Sequence, residues 1–232
     1  LQGIEAQVAN QRRFVANAAH QIRTPLALLK TQSLVGQQTK SVREKNEALT
    51  AIGKNVDGLS RLATQLLNLA RAEQGSNLLR KEKVDLNAIT RSAVEAMLPI
   101  SFERNIDLGF EGADAPIAFN GHASLLREAV TNLIDNALRH TPGGGLVTVR
   151  IRQVAELVVI AVEDTGPGIA EAERDQVFER FHRGSNTVGD GSGLGLAIVR
   201  EIATAHDGTI ELATREPPPG LLVRLTLPMS ER

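Results

Sequence analysis

The most regular pattern in the sequence is an apolar stripe made of Leu49, Ile52, Val56, Leu59, Leu62, Leu66 and Leu69. Steps of three and four residues, close to a heptad, place these side chains on one face of a helix from about Arg43 to Ala72. Upstream, Ile4, Val8, Val15, Ile22, Leu26 and Leu29 recur at three, four or seven residues, which predicts a first helix from Gln2 to about Val35. Gly36 to Ser41 is polar and breaks the pattern. Two such helices around a short loop form an antiparallel hairpin. A lone hairpin cannot cover both apolar faces, so the pattern predicts a homodimer in which two hairpins close a four-helix bundle. The alternative packs both helices on the rest of their own chain, and it fits poorly with stripes that persist along both helices.

Beyond Gln74-Gly75-Ser76-Asn77 the texture changes to alternating strands and helices. The expected domains are therefore residues 1–76 and 77–232, and a 232-residue chain is long enough for both. Predicted strands lie at Lys81–Leu86, Ile106–Phe110, Pro116–Phe119, Leu146–Ile151, Leu157–Val162, Thr209–Leu212 and Leu221–Leu227. Predicted helices lie at Leu86 to about Leu98, with Asp85 as cap, at Ser124 to His140 and at Leu194 to Ala205, with partial helix over Ile169 to Phe181. Helices on one face of a mixed sheet give a two-layer α/β sandwich, so the fold class is α plus α/β.

Composition closes off several chemistries. With no cysteine there are no disulfides, thiolate metal sites or thiol catalysis. The formal net charge of -1 and the absence of tryptophan and tyrosine argue against nucleic acid as a partner. The longest apolar run, Leu157 to Val162, is far too short for a bilayer. Because the first residue is Leu1, we read the chain as a fragment, and any membrane anchor is expected in a missing N-terminal part.

Candidate chemistry clusters in five places. In FVANAAHQIRTPLALLK, His20 lies beside the apolar stripe with Gln21 and Arg23, and Thr24 stacks one turn away. Pro25 removes a backbone donor and crowds the Gln21 carbonyl, which predicts a bend or loosening just past the histidine. By itself this reads as a solvated histidine on an amphipathic helix with a tolerated proline, and only the motifs downstream, which need a phosphate acceptor, turn the reading. In REAVTNLIDNALRHTP, Glu128, Asn132 and Asn136 share one helical face, and carboxamide oxygens are hard neutral ligands suited to Mg²⁺. Two asparagines inside a helix run against propensity, although solvated asparagines would look the same. In EDTGPG, Asp164 ends a buried strand and can accept from an exocyclic amine such as that of adenine, while Gly166 and Gly168 permit a close turn. Gly191, Gly193, Leu194, Gly195 and Leu196 open a helix whose freed amides can cradle phosphate. No Lys-Ser or Lys-Thr follows, so this is no Walker A loop, and no βαβ unit surrounds it. In FERFHR, Phe178 and Phe181 can anchor a segment that leaves Arg180 and Arg183 for phosphate or for docking.

In order and spacing these motifs resemble the cytoplasmic catalytic core of bacterial two-component sensor histidine kinases across nearly the whole chain. His20 to Pro25 resembles the phosphoacceptor box, Asn132 to Asn136 the N box, and Asp164 to Gly168 the first glycine box. Phe178 to Phe181 resembles the phenylalanine box and Gly191 to Leu196 the second glycine box. The resemblance implies a dimerisation and histidine-phosphotransfer domain followed by a Bergerat-type ATP-binding domain. It implies that ATP is the phosphoryl donor, that His20 is the acceptor, and that Asn136 holds Mg²⁺ with Glu128 and Asn132 nearby. It further implies that Asp164 reads adenine, that Arg139 approaches phosphates, that His140 lies against the nucleotide, and that Gly184 to Asp190 forms an ATP lid. The implied partners are a second copy and the receiver domain of a response regulator, and the implied location is the cytoplasmic portion of an inner-membrane sensor.

One position departs from the family pattern. The residue after the phosphoacceptor is usually Glu or Asp, and here it is Gln21. A carboxamide can hold the imidazole tautomer through a hydrogen bond but cannot keep a proton. Thr24 matches the family position that orients water for dephosphorylating the regulator. Two other readings compete: an ATP-binding scaffold that transfers little, marked by Gln21, and another Bergerat ATPase such as a gyrase-like or mismatch-repair-like clamp, against which His20 in paired helices argues.

Overall fold

A computed structural model of the chain describes residues 2–73, 81–182 and 192–229. Two compact units divide it, residues 1–67 and 68–232. The polar break at Gln74 to Asn77 lies outside the described residues.

The first unit holds the expected hairpin of α1 (Gln2–Gln38) and α2 (Val42–Glu73), except that the end of α2, from Asn68 on, falls in the second unit. Ser41 starts α2: the Glu44 backbone N–H donates to its Oγ at 3.4 Å, and the Glu44 carboxylate accepts from the Thr39 hydroxyl. Ser-x-x-Glu ahead of a helix satisfies donors that the first turn cannot pair internally. At the tip, a Cβ on Gly36 would lie 3.5 Å from the Ala48 Cβ, so the helices touch there. Helix α1 runs unbroken through Pro25, in place of the expected loosening. The proline removes one intrahelical bond out of a 37-residue helix, and the rest of the ladder holds. Much of the predicted stripe stays open to solvent: Leu26 is 51% exposed, Leu49 64% and Val56 46%, whereas Ala48 and Leu62 are buried.

The second unit is the expected two-layer sandwich. One sheet has the order β2 (Asp107–Glu111), β4 (Leu146–Val154), β5 (Leu157–Asp164), β7 (Leu221–Pro228), β6 (Thr209–Thr214). Only the β2–β4 pairing is parallel. A separate antiparallel pair joins β1 (Glu82–Asp85) to β3 (Ala118–Gly121). Along β4, β5 and β7 alternate residues face inward: Val147, Val149, Ile151, Val158, Ile160, Val162, Val223, Leu225 and Leu227 are buried. They meet the apolar faces of α4 (Ala123–His140) and α5 (Gly195–Ala205), with α3 (Leu86–Glu103) beside α4. Asp85 caps α3 as expected, accepting from the Asn87 N–H at 3.0 Å. Helix α3 outruns the expected end near Leu98, passing Pro99, because Ser101 is still buried and its hydroxyl donates to the Leu98 carbonyl. Over Ile169 to Phe181 only two short 3₁₀ turns form, Glu171–Glu173 and Gln176–Phe178.

Where α4 begins and α5 ends, two buried histidines meet, with His122 and His206 ring centroids 5.3 Å apart. The His122 backbone N–H donates to His206 Nε2 at 3.1 Å, and His206 Nδ1 lies 2.8 Å from the Ile202 carbonyl. These partners fix the neutral tautomer with the proton on Nδ1. Burial pushes the His206 pKa down, and the neighbouring His122 and Lys81 add to this against the Ile202 hydrogen bond and Asp207. The folded domain therefore refuses a proton that the unfolded chain takes up near pH ~6.5. Stability should be complete above that pH and fall as pH drops below it. One histidine contributes a slope of at most about 1.4 kcal/mol per pH unit. Urea midpoints between pH 5 and 8 should show a shallower acid slope for His206→Gln than for the parent; equal slopes would remove His206 as the cause.

Candidate nucleotide site

Three elements bring their ends together on one side of the sandwich. Helix α4 ends at His140, strand β5 ends at Asp164, and α5 begins at Gly195. The sequence forces each stop. Strand β5 gives way to Thr165-Gly166-Pro167-Gly168, and Gly168 has φ +74°, where side chains are disfavoured. A Cβ on Gly166 would lie 2.8 Å from the His140 carbonyl oxygen, so the loop after β5 rests directly on the last turn of α4. A Cβ on Gly195 would lie 3.4 Å from Asn132 Oδ1, so the second glycine motif is seated on the asparagine face.

On α4 the two asparagines do different work. Asn132 is buried, and its Nδ2 donates to the Glu128 carbonyl at 2.9 Å and to Glu128 Oε1 at 3.0 Å. Asn136 is half-buried, and its side chain makes no hydrogen bond among the described residues. Arg139 pairs with Asp135 at 2.8 Å, one turn earlier. Burial holds the His140 pKa below the ordinary value, and the charge of Arg139 lowers it further. Arg104, which sequence reasoning passed over, donates from Nη1 to the Leu138 carbonyl at 2.9 Å and so ties down the last turn of α4. A helix-ending arginine has no positional signature that would have singled it out.

Asp164 is 3% exposed at the end of β5. Its Oδ1 accepts from the Gly166 N–H at 2.8 Å. Burial pushes its pKa up; hydrogen bonds from the Gly166 and Leu221 backbones and the charge of Arg215 pull it back, while Glu163 pushes it up. Gly166 is buried against this carboxylate, and Gly168 lies beside Gly220 of the β6–β7 turn.

The phenylalanine motif is fastened to α5. Arg200 lies over the Phe178 ring at 5.7 Å, and Arg180 pairs with Glu201 at 3.1 Å. The sequence left Arg180 for phosphate or for docking, and the ion pair with Glu201 joins the motif to α5. Phe181 adopts φ +63°, an uncommon conformation for a bulky residue, and its N–H donates to the Gly193 carbonyl at 2.9 Å. A Cβ on Gly193 would come within 2.6 Å of the His182 carbonyl, so only glycine fits that contact. Leu194 and Leu196 are buried under the start of α5. Gly191, Arg183 and the stretch from Gly184 to Asp190 lie outside the described residues. His20, Gln21 and Thr24 belong to the other unit, exposed on α1. Among the described residues no cluster of three or more histidines and carboxylates could hold a metal by itself.

Two family models match this chain. A His Kinase A (phospho-acceptor) domain covers residues 10–75, and a histidine kinase-, DNA gyrase B-, and HSP90-like ATPase covers residues 121–231. The sensor protein kinase PmrB of Pseudomonas aeruginosa is 33% identical over 232 residues, which is 100% of this chain and 48% of that protein. The chain thus spans about half the length of the curated relatives it matches. Among solved structures, the mycobacterial sensor histidine kinase MprB is 35% identical, with 64% of this chain and 97% of that chain covered and a TM-score of 0.56. The histidine kinase ThkA in complex with the response regulator protein TrrA covers 99% of this chain and 67% of that chain at 22% identity, and its TM-score of 0.73 speaks for the fold alone. A phospho-acceptor hairpin leading into this ATPase sandwich accounts for both models at once, and the chain belongs to the sensor histidine kinases.

Proposed function

We propose that the chain binds Mg-ATP in residues 77–232, phosphorylates His20 in residues 1–76, and passes the phosphoryl group to an aspartate on a response-regulator receiver domain. The observation that carries this reading is the seating of both glycine motifs on α4, Gly166 between the His140 carbonyl and the Asp164 carboxylate and Gly195 against Asn132. Asp164 accepts from the adenine amino group. Asn136, with its uncommitted carboxamide, and Glu128 offer hard oxygens for Mg²⁺, which neutralises phosphate charge when bound. Arg139 and the glycine backbone at Gly193 and Gly195 face the phosphates. His20, exposed on its helix, attacks through Nε2; the bond from γ-phosphorus to the ADP oxygen breaks, and ADP carries away the electron pair. The positive charge that builds on the ring is relieved when the Nδ1 proton leaves to water, with Gln21 orienting the ring without holding that proton. Thr24, on the same face, suits the reverse duty of directing water at the phosphorylated regulator.

The exposed Leu26, Leu49, Val56 and Leu67 support closure of the bundle by a second copy. No described helix is long and apolar enough to cross a membrane; that this chain is the cytoplasmic portion of a membrane sensor is part of the same proposal. Incubation with ATP labelled at the γ-phosphate should leave label that is lost in acid and retained in base, as a phosphoramidate requires. Acid-stable label would overturn the assignment of histidine. Gln21 favours a second reading, a scaffold that holds ATP without transfer, which bound nucleotide with no label would support.

A further inference from the structure

On the face of the sheet away from the helices, a chain of charges runs across the strands. Arg150 on β4 donates from Nε to Glu111 Oε2 at 2.8 Å and from Nη1 to Glu163 Oε2 at 2.6 Å. Glu163 Oε1 accepts from Arg215 Nε at 2.8 Å, although Arg215 lies just past β6, with β7 between that strand and β5. The Arg215 guanidinium also donates from Nη1 to the Pro217 carbonyl at 2.8 Å, and its backbone N–H to the Gly220 carbonyl at 3.1 Å. Its side chain and that of Glu163 are 19% and 17% exposed. Arg215 therefore ties together the turn whose next residue, Leu221, hydrogen-bonds Asp164. The fit is tight: a Cβ on Gly220 would lie 2.1 Å from the Asp164 carbonyl oxygen and 2.7 Å from Arg215 Cδ, and one on Gly168 would lie 3.0 Å from the Gly220 oxygen.

We propose that Arg215 is a positioning residue for nucleotide recognition, holding the β6–β7 turn against Asp164 and answering the charge of Glu163 beside it. This rests on the reading of Asp164 as the adenine contact. Glu163 precedes Asp164 directly and points to the opposite face, so its charge must be answered from that face. Arg215 and, behind it, Arg150 answer it. Among the described residues, the charged groups that act on Asp164 are Arg215 and Glu163, and both are varied below.

The test is the affinity of the full chain for a non-hydrolysable ATP analogue between pH 5 and 8.5. Arg215→Met leaves Glu163 uncompensated on that side, so the acid limb of the profile should move to higher pH. A limb moved by one unit reads as about tenfold weaker binding at the acid end and little change at the alkaline end. Glu163→Gln added to Arg215→Met should bring the limb back, and Glu163→Gln alone should move it to lower pH. That single variant keeps the question open to measurement if Arg215→Met fails to fold. Loss of affinity equal at every pH, or no displacement of the limb by either substitution, would overturn the proposal and leave Arg215 a fold staple only. Asp164→Asn separates the two levels of the argument. If it binds the analogue as the parent does, the adenine contact itself is wrong and the proposal falls with it. If it loses affinity while the other variants keep the parental profile, only the role of Arg215 is wrong.

Discussion

Replacing His20 with glutamine should reduce acid-labile labelling to background and leave affinity for an ATP analogue within about 0.5 kcal/mol of the parent, the range of an exposed substitution. His20 is exposed on α1, in a compact unit separate from the one that holds Asp164, Asn136 and the glycine loops. Glutamine is a better helix former than histidine, so α1 loses no propensity. What is lost is the proposed nucleophile: a carboxamide nitrogen is not basic and cannot take the γ-phosphoryl group. The only other histidines in the described structure are His122, His140, His182 and His206, and all lie in the ATPase unit. Mass spectrometry and autoradiography on both proteins under identical nucleotide would decide. Label that persists in the variant would place the acceptor on another residue.

The elements of this chain were legible wherever one face is buried. Strands β4, β5 and β7 announce themselves by alternation because every second residue meets α4 or α5. The stripes of α1 and α2 were legible for a different reason. They are apolar where a lone hairpin has no use for it, and the structure leaves Leu49 and Val56 exposed. Pro25 misled toward a loosened helix, since it costs one hydrogen bond in a helix that continues past it, and α3 likewise continues past its expected end near Leu98. In the site, Asp164, Asn132 and the glycines were visible because each breaks a local rule: a carboxylate ending an apolar strand, an asparagine within a helix, glycines opening one. Arg104, Arg215 and Glu163 break none. They are ordinary surface types in sequence, and only the order β5-β7-β6 carries Arg215 to a carboxylate 52 positions away. Partnerships across strands that are distant in sequence leave no spacing to read.

Asn136→Ala should remove most of the Mg²⁺-dependent part of nucleotide affinity and little of the rest. The neighbouring asparagine provides the contrast. Asn132 spends its amide on the Glu128 carbonyl and carboxylate, and its oxygen faces Gly195, so its alanine variant leaves buried groups unpaired and should cost stability first. Asn136 is half-buried, one turn nearer His140, and commits no side-chain hydrogen bond among the described residues. Alanine there keeps the helix, indeed favours it, and leaves Leu133, Ile134 and Ala137 packed as before. A neutral carboxamide oxygen is a modest ligand by itself, which suits a cation whose other positions are filled by phosphate oxygens and water. Loss of an outer-shell partner alone typically weakens a metal site about 10–100-fold, so loss of a direct ligand should reach at least the upper end, on the order of 10²-fold. Calorimetric titration with an ATP analogue, with and without Mg²⁺, reads the difference directly. The parent should gain affinity when Mg²⁺ is added, and the variant should gain little. Should both gain equally, Asn136 is no ligand, and the cation would have to rest on Glu128 and the nucleotide.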